Sequence, residues 1–531
     1  MTGRLFAIID VDVSQRLLRL LSWPAVNLRV IGRHLPFLLL LATFFVLEFA
    51  CPRFPYLDSE ISRKAAGLHL SLGGAFAAPE LEGFLHVDPP VERIYFVYPP
   101  LYTWLFGQWT RMTGFGWAAC VGYDALISGI LAFIIYGLAG VVADAMLGPL
   151  SVLRRTAVAF VPALLTLLFR QVARTDELGM LLGYSNVWWL FLPPGHWRWP
   201  VVSIISGVLA GLMLCTSAGV FLAFMPFLVA LWLLRVGEMD MRQIRSSLAA
   251  VASGFGLVVA ICVTPLLIAD PHSYQQSFQH LHHETFGSGT VMLSRAWEVF
   301  PQRLFILLAT VPVLCVGMIT LWRTGRIRET LVLFAAPLVG FGLVVLVRRS
   351  AEYWWFLQPW FLLMAVIVTA DFWWSRDSRL VTTVVAGWLA IWVAIASAWP
   401  VKDYLVRMTL PPEQRLTTNA QRLRELIPKG AGVLTANAWW ALGIDRSVYH
   451  PDYSDIGDLA RIEYFVTDGN GTGQPGIWFP PVNPRYEVMV HDNFEVISDN
   501  LPRTPLRIFG LRITNSAYGF GTIVLRRMHT K

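Results

Sequence analysis

Two carboxylates stand close together in YLDSEISRKAAGLHL: Asp58 and Glu60. A carboxylate held at a water–lipid boundary can act as a general base, taking the proton from a hydroxyl as that oxygen attacks. The same stretch also suits a helix start, because Asp58 or Ser59 could cap a helix from Glu60 to about Leu72. With Ile61, Ala65, Leu68 and Leu72 on one face, such a helix would lie flat on a membrane. A further carboxylate, Asp176, sits in RQVARTDELGMLL beside Arg170, Arg174 and Glu177. An acid at the mouth of a membrane span is costly unless hydrated or paired, so Asp176 either pairs with Arg174 or faces the same cavity as Asp58. In RRSAEY, Arg348 and Arg349 precede Glu352 and Tyr353. Adjacent guanidinium groups can grip a phosphate through bidentate contacts, or can mark a solvated loop face. The group QSFQHLHHETF holds His280, His282, His283 and Glu284. It could ligate a divalent metal, His283 or Glu284 could touch a substrate, or the group could be an ordinary hydrated loop.

These residues are set among long apolar runs. The chain has 531 residues, 55% hydrophobic and 15% charged, against about a quarter charged in a water-soluble globule. A helix needs about 20 predominantly apolar residues to cross the hydrocarbon. Spans are expected at 34–50, 117–143, 155–170, 177–193, 199–215, 218–234, 246–269, 303–322, 329–347, 353–372 and 380–399, about eleven in all. The fold class expected is therefore an α-helical polytopic membrane protein. Residues 1–33 form an arginine-rich cytoplasmic segment, and 34–400 the membrane domain, with large outer loops at 51–116 and 270–302. Residues 401–531 form a small α/β extracytoplasmic domain.

Charge sets the orientation. Short loops on one side carry Arg154, Arg155, Arg198, Arg235, Arg242, Arg245, Arg323, Arg326, Arg328, Arg376 and Arg379, and the first segment adds Arg16, Arg19, Arg29 and Arg33. By the positive-inside rule that side is the cytoplasm. The net charge of +7 is accounted for by this topology, since the arginines form no single stripe of the kind that binds nucleic acid. Beyond Pro400, residues 414–427 read as an amphipathic helix stopped by Pro428-Lys429-Gly430, and GVLTANAWWAL, RIEYFVTD and FGTIVLRRM read as strands. GNGTG at 469–473 follows a strand but precedes no helical pattern, so it reads as a turn and not as a dinucleotide-binding loop.

The succession of segments resembles the GT-C superfamily of membrane glycosyltransferases, in particular the bacterial branch of protein O-mannosyltransferases and aminoarabinose-type lipid A transferases. An anchor span is followed by LDSEISRKAAG, then YPPLYTWLFG, then RTDEL at a span start. SGVLAGLMLCTSAGVFLAF is similar to the family's glycine-spaced helix pair, and AEYWWFLQPWFLLMAV to its late aromatic–proline helix. The resemblance implies an inverting transferase that moves a sugar from a polyprenyl-phosphate donor to a glycolipid, glycan or protein acceptor. It would act at the outer face of the bacterial cytoplasmic membrane, among membrane lipids.

In that scheme Asp58 is the base, with Glu60 in reserve, and Asp176 positions the acceptor or the base. Arg348 and Arg349 neutralise the leaving phosphate. Tyr98, Arg174, Thr216, His283, Glu284, Glu352 and Tyr353 complete the binding surface. Some relatives carry an acid and a lysine where this chain has Val97 and Tyr98, and often a lysine where it has Ser217. A divalent metal stays open as cofactor. A lipid-linked glycan flippase would place its polar groups near the bilayer midplane, often in repeated halves; a non-catalytic lipid-binding member is a further reading. The topology makes a direct prediction: a reporter active only outside the cytoplasm, fused after Lys531, is active.

Overall fold

The computed structural model describes residues 28–52, 59–82, 99–170, 175–191, 199–236, 239–269, 271, 301–323, 325–348, 351–375, 379–435, 438–442, 444–450, 456–467, 489–490, 493–500, 507–508, 511–512 and 522–528. Each apolar run of the sequence becomes a helix. The first two helices are α1 (Leu28–Ala50) and α2 (Ser59–Ser71), followed by a 3₁₀ turn at Pro79–Leu81. Next come α3 (Pro100–Thr113), α4 (Trp117–Leu147), α5 (Val152–Leu168) and α6 (Thr175–Phe191). The bundle continues through α7 (Trp199–Leu214), α8 (Ala218–Val236), α9 (Met241–Ala269) and α10 (Pro301–Arg323). A π-helical turn, Leu331–Ala335, leads into α11 (Ala336–Arg348), and a 3₁₀ stretch, Ala351–Leu357, leads into α12 (Gln358–Ser375). The long α13 (Arg379–Thr409) carries the chain out of the bundle.

Six helical segments among the described residues are long and apolar enough to cross a membrane: Trp117–Leu147, Ala218–Arg235, Met241–Pro265, Leu304–Arg323, Tyr353–Trp374 and Thr382–Thr409. Shorter apolar helices lie at His34–Ala50, Trp199–Leu214 and Leu331–Val345. The chain is a multi-pass helical membrane protein. Along α13 an exposed stripe of Leu380, Val384, Trp388, Ile391 and Ile395 recurs every three or four residues, the period that keeps one helix face toward lipid.

Backbone proximity fixes two helix pairs. Gly207 on α7 and Gly254 on α9 lie so close that a Cβ on either would fall within 2.4 Å of the opposing backbone. The small residues of the SGVLAG run thus serve the α7–α9 crossing. Between α2 and α3, a Cβ on Gly67 would sit 1.9 Å from the Thr103 carbonyl oxygen, and one on Gly107 would sit 2.3 Å from the Gly67 carbonyl oxygen. Thr103 Oγ1 donates to the Arg63 carbonyl at 2.6 Å across the same seam.

The face of α2 expected to lie on lipid is instead covered by protein. Ala65 and Leu68 are buried in a core shared with Tyr102 and Phe106 of α3 and with Leu423, Ile427, Trp439 and Trp440 beyond the bundle. Leu72, one residue past the helix, is exposed.

The segment after α13 folds into a cap. Its amphipathic helix α14 (Leu416–Leu426) ends before Pro428, and Gly430 turns the chain at φ 81°, a left-handed conformation that favours glycine. A five-stranded mixed sheet follows, comprising β1 (Gly432–Leu434), β2 (Ser447–Tyr449), β3 (Tyr464–Thr467), β4 (Phe494–Asp499) and β7 (Ile523–Arg527), in the order β2-β1-β3-β7-β4. A separate hairpin pairs β5 (Arg507–Ile508) with β6 (Leu511–Arg512). β1 runs parallel to β2 and β3, whereas β7 is antiparallel to β3 and β4. The strand expected over GVLTANAWWAL holds only for Gly432–Leu434. Trp439–Leu442 is a helical turn, which lets the adjacent indoles of Trp439 and Trp440 both reach the core shared with α2 and α3. The GNGTG segment lies outside the described residues.

The α2–α3 seam yields a prediction. Replacing Gly67 by Ala forces these backbones apart and costs about 1–3 kcal/mol of stability, measured as a lowered thermal unfolding midpoint in detergent. The same change at Gly342, where a Cβ would meet nothing within 4 Å, leaves the midpoint unchanged.

Candidate active site

Three sequence motifs meet at one end of the bundle. Pro100 opens α3 at a position where its missing N–H is no loss. The next amide, Leu101 N–H, lacks an intrahelical acceptor and donates to the Cys215 carbonyl at 3.1 Å, in the short loop between α7 and α8. In that loop Ser217 Oγ donates to Asp176 Oδ1 at 2.6 Å. Asp176 is a first-turn residue of α6, where a negative charge is favoured by the helix dipole. The YPPLY, CTSAG and RTDEL segments are thereby joined. Thr216 is buried, and its hydroxyl donates to the Leu212 carbonyl at 2.8 Å. Ser217 forms a buried hydrogen bond to a carboxylate.

A set of ionisable groups closes the circuit. Tyr102, next to Leu101, donates its hydroxyl to Asp124 Oδ1 at 2.8 Å, and Lys64 Nζ of α2 donates to Asp124 Oδ2 at 2.8 Å. Lys64 is fully buried and also lies over the Phe106 ring, 5.2 Å from its centroid. One turn along α4 from Asp124, Ser128 Oγ donates to Glu177 Oε1 at 2.8 Å and accepts from Arg170 Nη1 at 3.2 Å. Glu177 adjoins Asp176, so the path returns to Ser217 and Cys215.

Arg170 also pairs with Glu48 at the end of α1. Glu48 Oε1 accepts from the Tyr404 hydroxyl of α13 at 2.6 Å and lies 3.8 Å from Arg407, which is itself paired with Asp403 at 3.2 Å. Arg407 Nη1 donates to the Cys51 carbonyl at 2.6 Å. These side chains bind α1, α2, α3, α4, α6 and α13 at one level of the bundle.

The sequence reading placed the site by Asp58, Asp176 and Arg349. The structure puts Asp176 within the circuit. Glu60 falls in the first turn of α2, Arg348 is the last residue of α11, and Glu352 lies in the 3₁₀ stretch before α12. Tyr353 is half-buried against Phe356, with ring centroids 5.5 Å apart. That aromatic segment is clamped to α6, because Tyr184 OH donates to the Phe356 carbonyl at 3.2 Å and accepts the Trp360 amide at 3.1 Å. Asp58, Tyr98, Arg174, His280, His282, His283, Glu284 and Arg349 lie outside the described residues. Among the described residues, no group of three or more His, Cys, Asp or Glu side chains is arranged to hold a metal ion.

Glu48, Lys64, Asp124 and Ser128 did not stand out in the sequence, and Arg170 and Glu177 entered it only as neighbours of Asp176. Their signal was an ionisable residue inside or beside an apolar run, as in WAACVGYDALISG and FFVLEFA. Such residues in a membrane segment face the protein interior and carry function or hold partners.

The chain is a polytopic helical bundle with a polar circuit at one end and a mixed-sheet cap. A solved structure shares this fold. The crystal structure of ArnT from Cupriavidus metallidurans bound to undecaprenyl phosphate superposes with a TM-score of 0.55 and 11% identity, covering 94% of this chain and 99% of that one. The Archaeoglobus fulgidus oligosaccharyltransferase, in complex with Zn and sulfate, superposes with a TM-score of 0.47 and 10% identity, over 81% and 67% of the two chains. No family model and no curated protein matches the sequence.

The Lys64–Asp124 pair can be tested directly. Lys64→Ala strands a buried carboxylate and lowers stability by about 3–5 kcal/mol. The double change Lys64→Met with Asp124→Leu removes both charges and recovers most of that loss. Thermal unfolding of the three proteins in detergent measures the difference.

Proposed function

We propose that this protein is an inverting glycosyltransferase that moves a sugar from a polyprenyl-phosphate donor to a lipid, glycan or protein acceptor. The observation that supports this most is the junction of α3, α6 and the α7–α8 loop beside α2, formed by Leu101–Cys215 and Asp176–Ser217. It gathers the motifs of the family resemblance in a fold shared with ArnT, whose crystal structure contains undecaprenyl phosphate.

In the proposed reaction Asp58, just ahead of α2 in sequence, accepts the proton of the acceptor hydroxyl, with Glu60 two residues on in reserve. The acceptor oxygen attacks the anomeric carbon from the face opposite the phosphate. As that bond forms, the bond to the phosphate oxygen breaks, and the anomeric configuration inverts. Arg348 and Arg349 stabilise the charge that develops on the departing lipid phosphate. Asp176, held by Ser217, positions the acceptor or the base. Tyr98, Arg174, Thr216, His283, Glu284, Glu352 and Tyr353 line the substrates. The membrane is the bacterial cytoplasmic membrane, with the N-terminus in the cytoplasm and the cap outside.

Asp58→Asn is the deciding variant. Transfer of label from polyprenyl-phosphate sugars in membranes falls by about 10²–10⁴-fold, the usual contribution of a general base, while protein abundance is unchanged. Full transfer by this variant removes Asp58 from the role.

A further inference from the structure

Glu80, in the 3₁₀ turn Pro79–Leu81, belongs to neither the motifs nor the polar circuit, yet its carboxylate is buried. Glu80 Oε1 accepts two hydrogen bonds. One comes from His69 Nε2 near the end of α2, at 2.9 Å, and the other from Trp439 Nε1 in the cap, at 3.2 Å. The Glu80 carbonyl accepts the His450 amide at 2.9 Å, just past edge strand β2. Two residues on, Glu82 Oε1 accepts from Arg461 Nη1 at 2.8 Å, and Arg461 Nη2 donates to the Tyr449 hydroxyl at 2.5 Å. The Trp439 ring packs on Phe115, with centroids 4.7 Å apart. The turn is therefore a strap between α2 and the cap.

The opposite side of α2 is fixed to the bundle by Lys64–Asp124 and by the Gly67–Gly107 backbone contact. A short helix gripped from two sides has its depth set by both. Its first turn holds Glu60 and follows Asp58. From this arrangement we infer that Glu80 is a positioning residue for the proposed transfer, tying α2 to the cap through His69 and Trp439. This inference rests on the transferase reading for its activity arm only.

His69 gives the clasp a titratable member. Burial lowers the imidazole pKa, but the hydrogen bond and charge of Glu80 raise it, and the net shift is upward. A raised folded value means that the protonated clasp is fully formed below the ordinary histidine value and is lost as pH rises through the folded one. The charged and titratable groups on the elements around His69 include Glu80 and Glu82 on the strap, His450, Tyr449 and Arg461 on the cap, Tyr102 and Arg111 on α3, and Glu60, Arg63 and Lys64 on α2 itself.

The test uses the full chain in lipid nanodiscs with Glu80→Ala, Glu80→Gln and His69→Gln. In Glu80→Ala, amide hydrogen exchange over residues 63–71 quickens by about tenfold or more, while exchange over β7 is unchanged, which marks local release and not unfolding. Transfer from a polyprenyl-phosphate sugar loses about tenfold or more in kcat, with KM for the donor nearly constant, as expected when a base is displaced and not deleted. Glu80→Gln keeps the acceptor for Trp439 and falls between the two. It also carries the test if the alanine variant does not fold. His69→Gln keeps a donor to Glu80, retains kcat near neutral pH and flattens the decline on the alkaline side. Unchanged exchange and unchanged kcat in Glu80→Ala overturn the inference. Faster exchange in α2, with no sugar transfer by any protein including the unsubstituted one, upholds the clasp and sinks the transferase reading instead.

Discussion

Charge taken out of water at the end of a membrane bundle must find a partner, and here that requirement organises the site. Lys64, wholly buried, neutralises Asp124 across the α2–α4 interface, and Arg170 does the same for Glu48 beside Glu177. An unpaired ion at such a position would cost several kcal/mol, so each pair is an anchor that cannot slip without penalty. The neutral links are aligned by the ionic ones. Tyr102 reaches Asp124 from α3, which Leu101–Cys215 ties to the α7–α8 loop, and Ser128 meets Glu177 while accepting from Arg170.

The helices and their order were legible in the sequence because apolar runs are long-range averages that single residues do not disturb. The same averaging hid Asp124 and Glu48, each a lone carboxylate in or beside such a run. Asp176 was found because it stands in a polar cluster at a run's edge, where it reads either as paired with Arg174, two residues away, or as facing a cavity; its partner among the described residues is Ser217, 41 positions away. Pairings such as Lys64 with Asp124, 60 residues apart, depend on how α2 folds back over α4, which no local pattern encodes. The face of α2 was legible as apolar, but its cover was not, since lipid and a protein cap make the same demand on Ala65 and Leu68. WWAL misled for a related reason: tryptophans favour strands, and the buried core next to them favoured a helical turn.

The cap is built into the bundle. Its core is continuous with α2 and α3 through Leu423, Ile427, Trp439 and Trp440, and its strap grips α2 through Glu80. A domain attached in this way shares a core with α2 and α3 while adding no ionisable group to the polar circuit among the described residues.

α13 passes from bundle to cap as one helix with Pro400 inside it, a residue that can donate no hydrogen bond to the Ala396 carbonyl. Below that joint its stripe from Leu380 to Ile395 meets the hydrocarbon, and above it Tyr404 and Arg407 hold Glu48. One continuous helix therefore carries both the lipid-facing stripe and the residues that hold Glu48, so the membrane span and the charged anchors cannot move independently of each other.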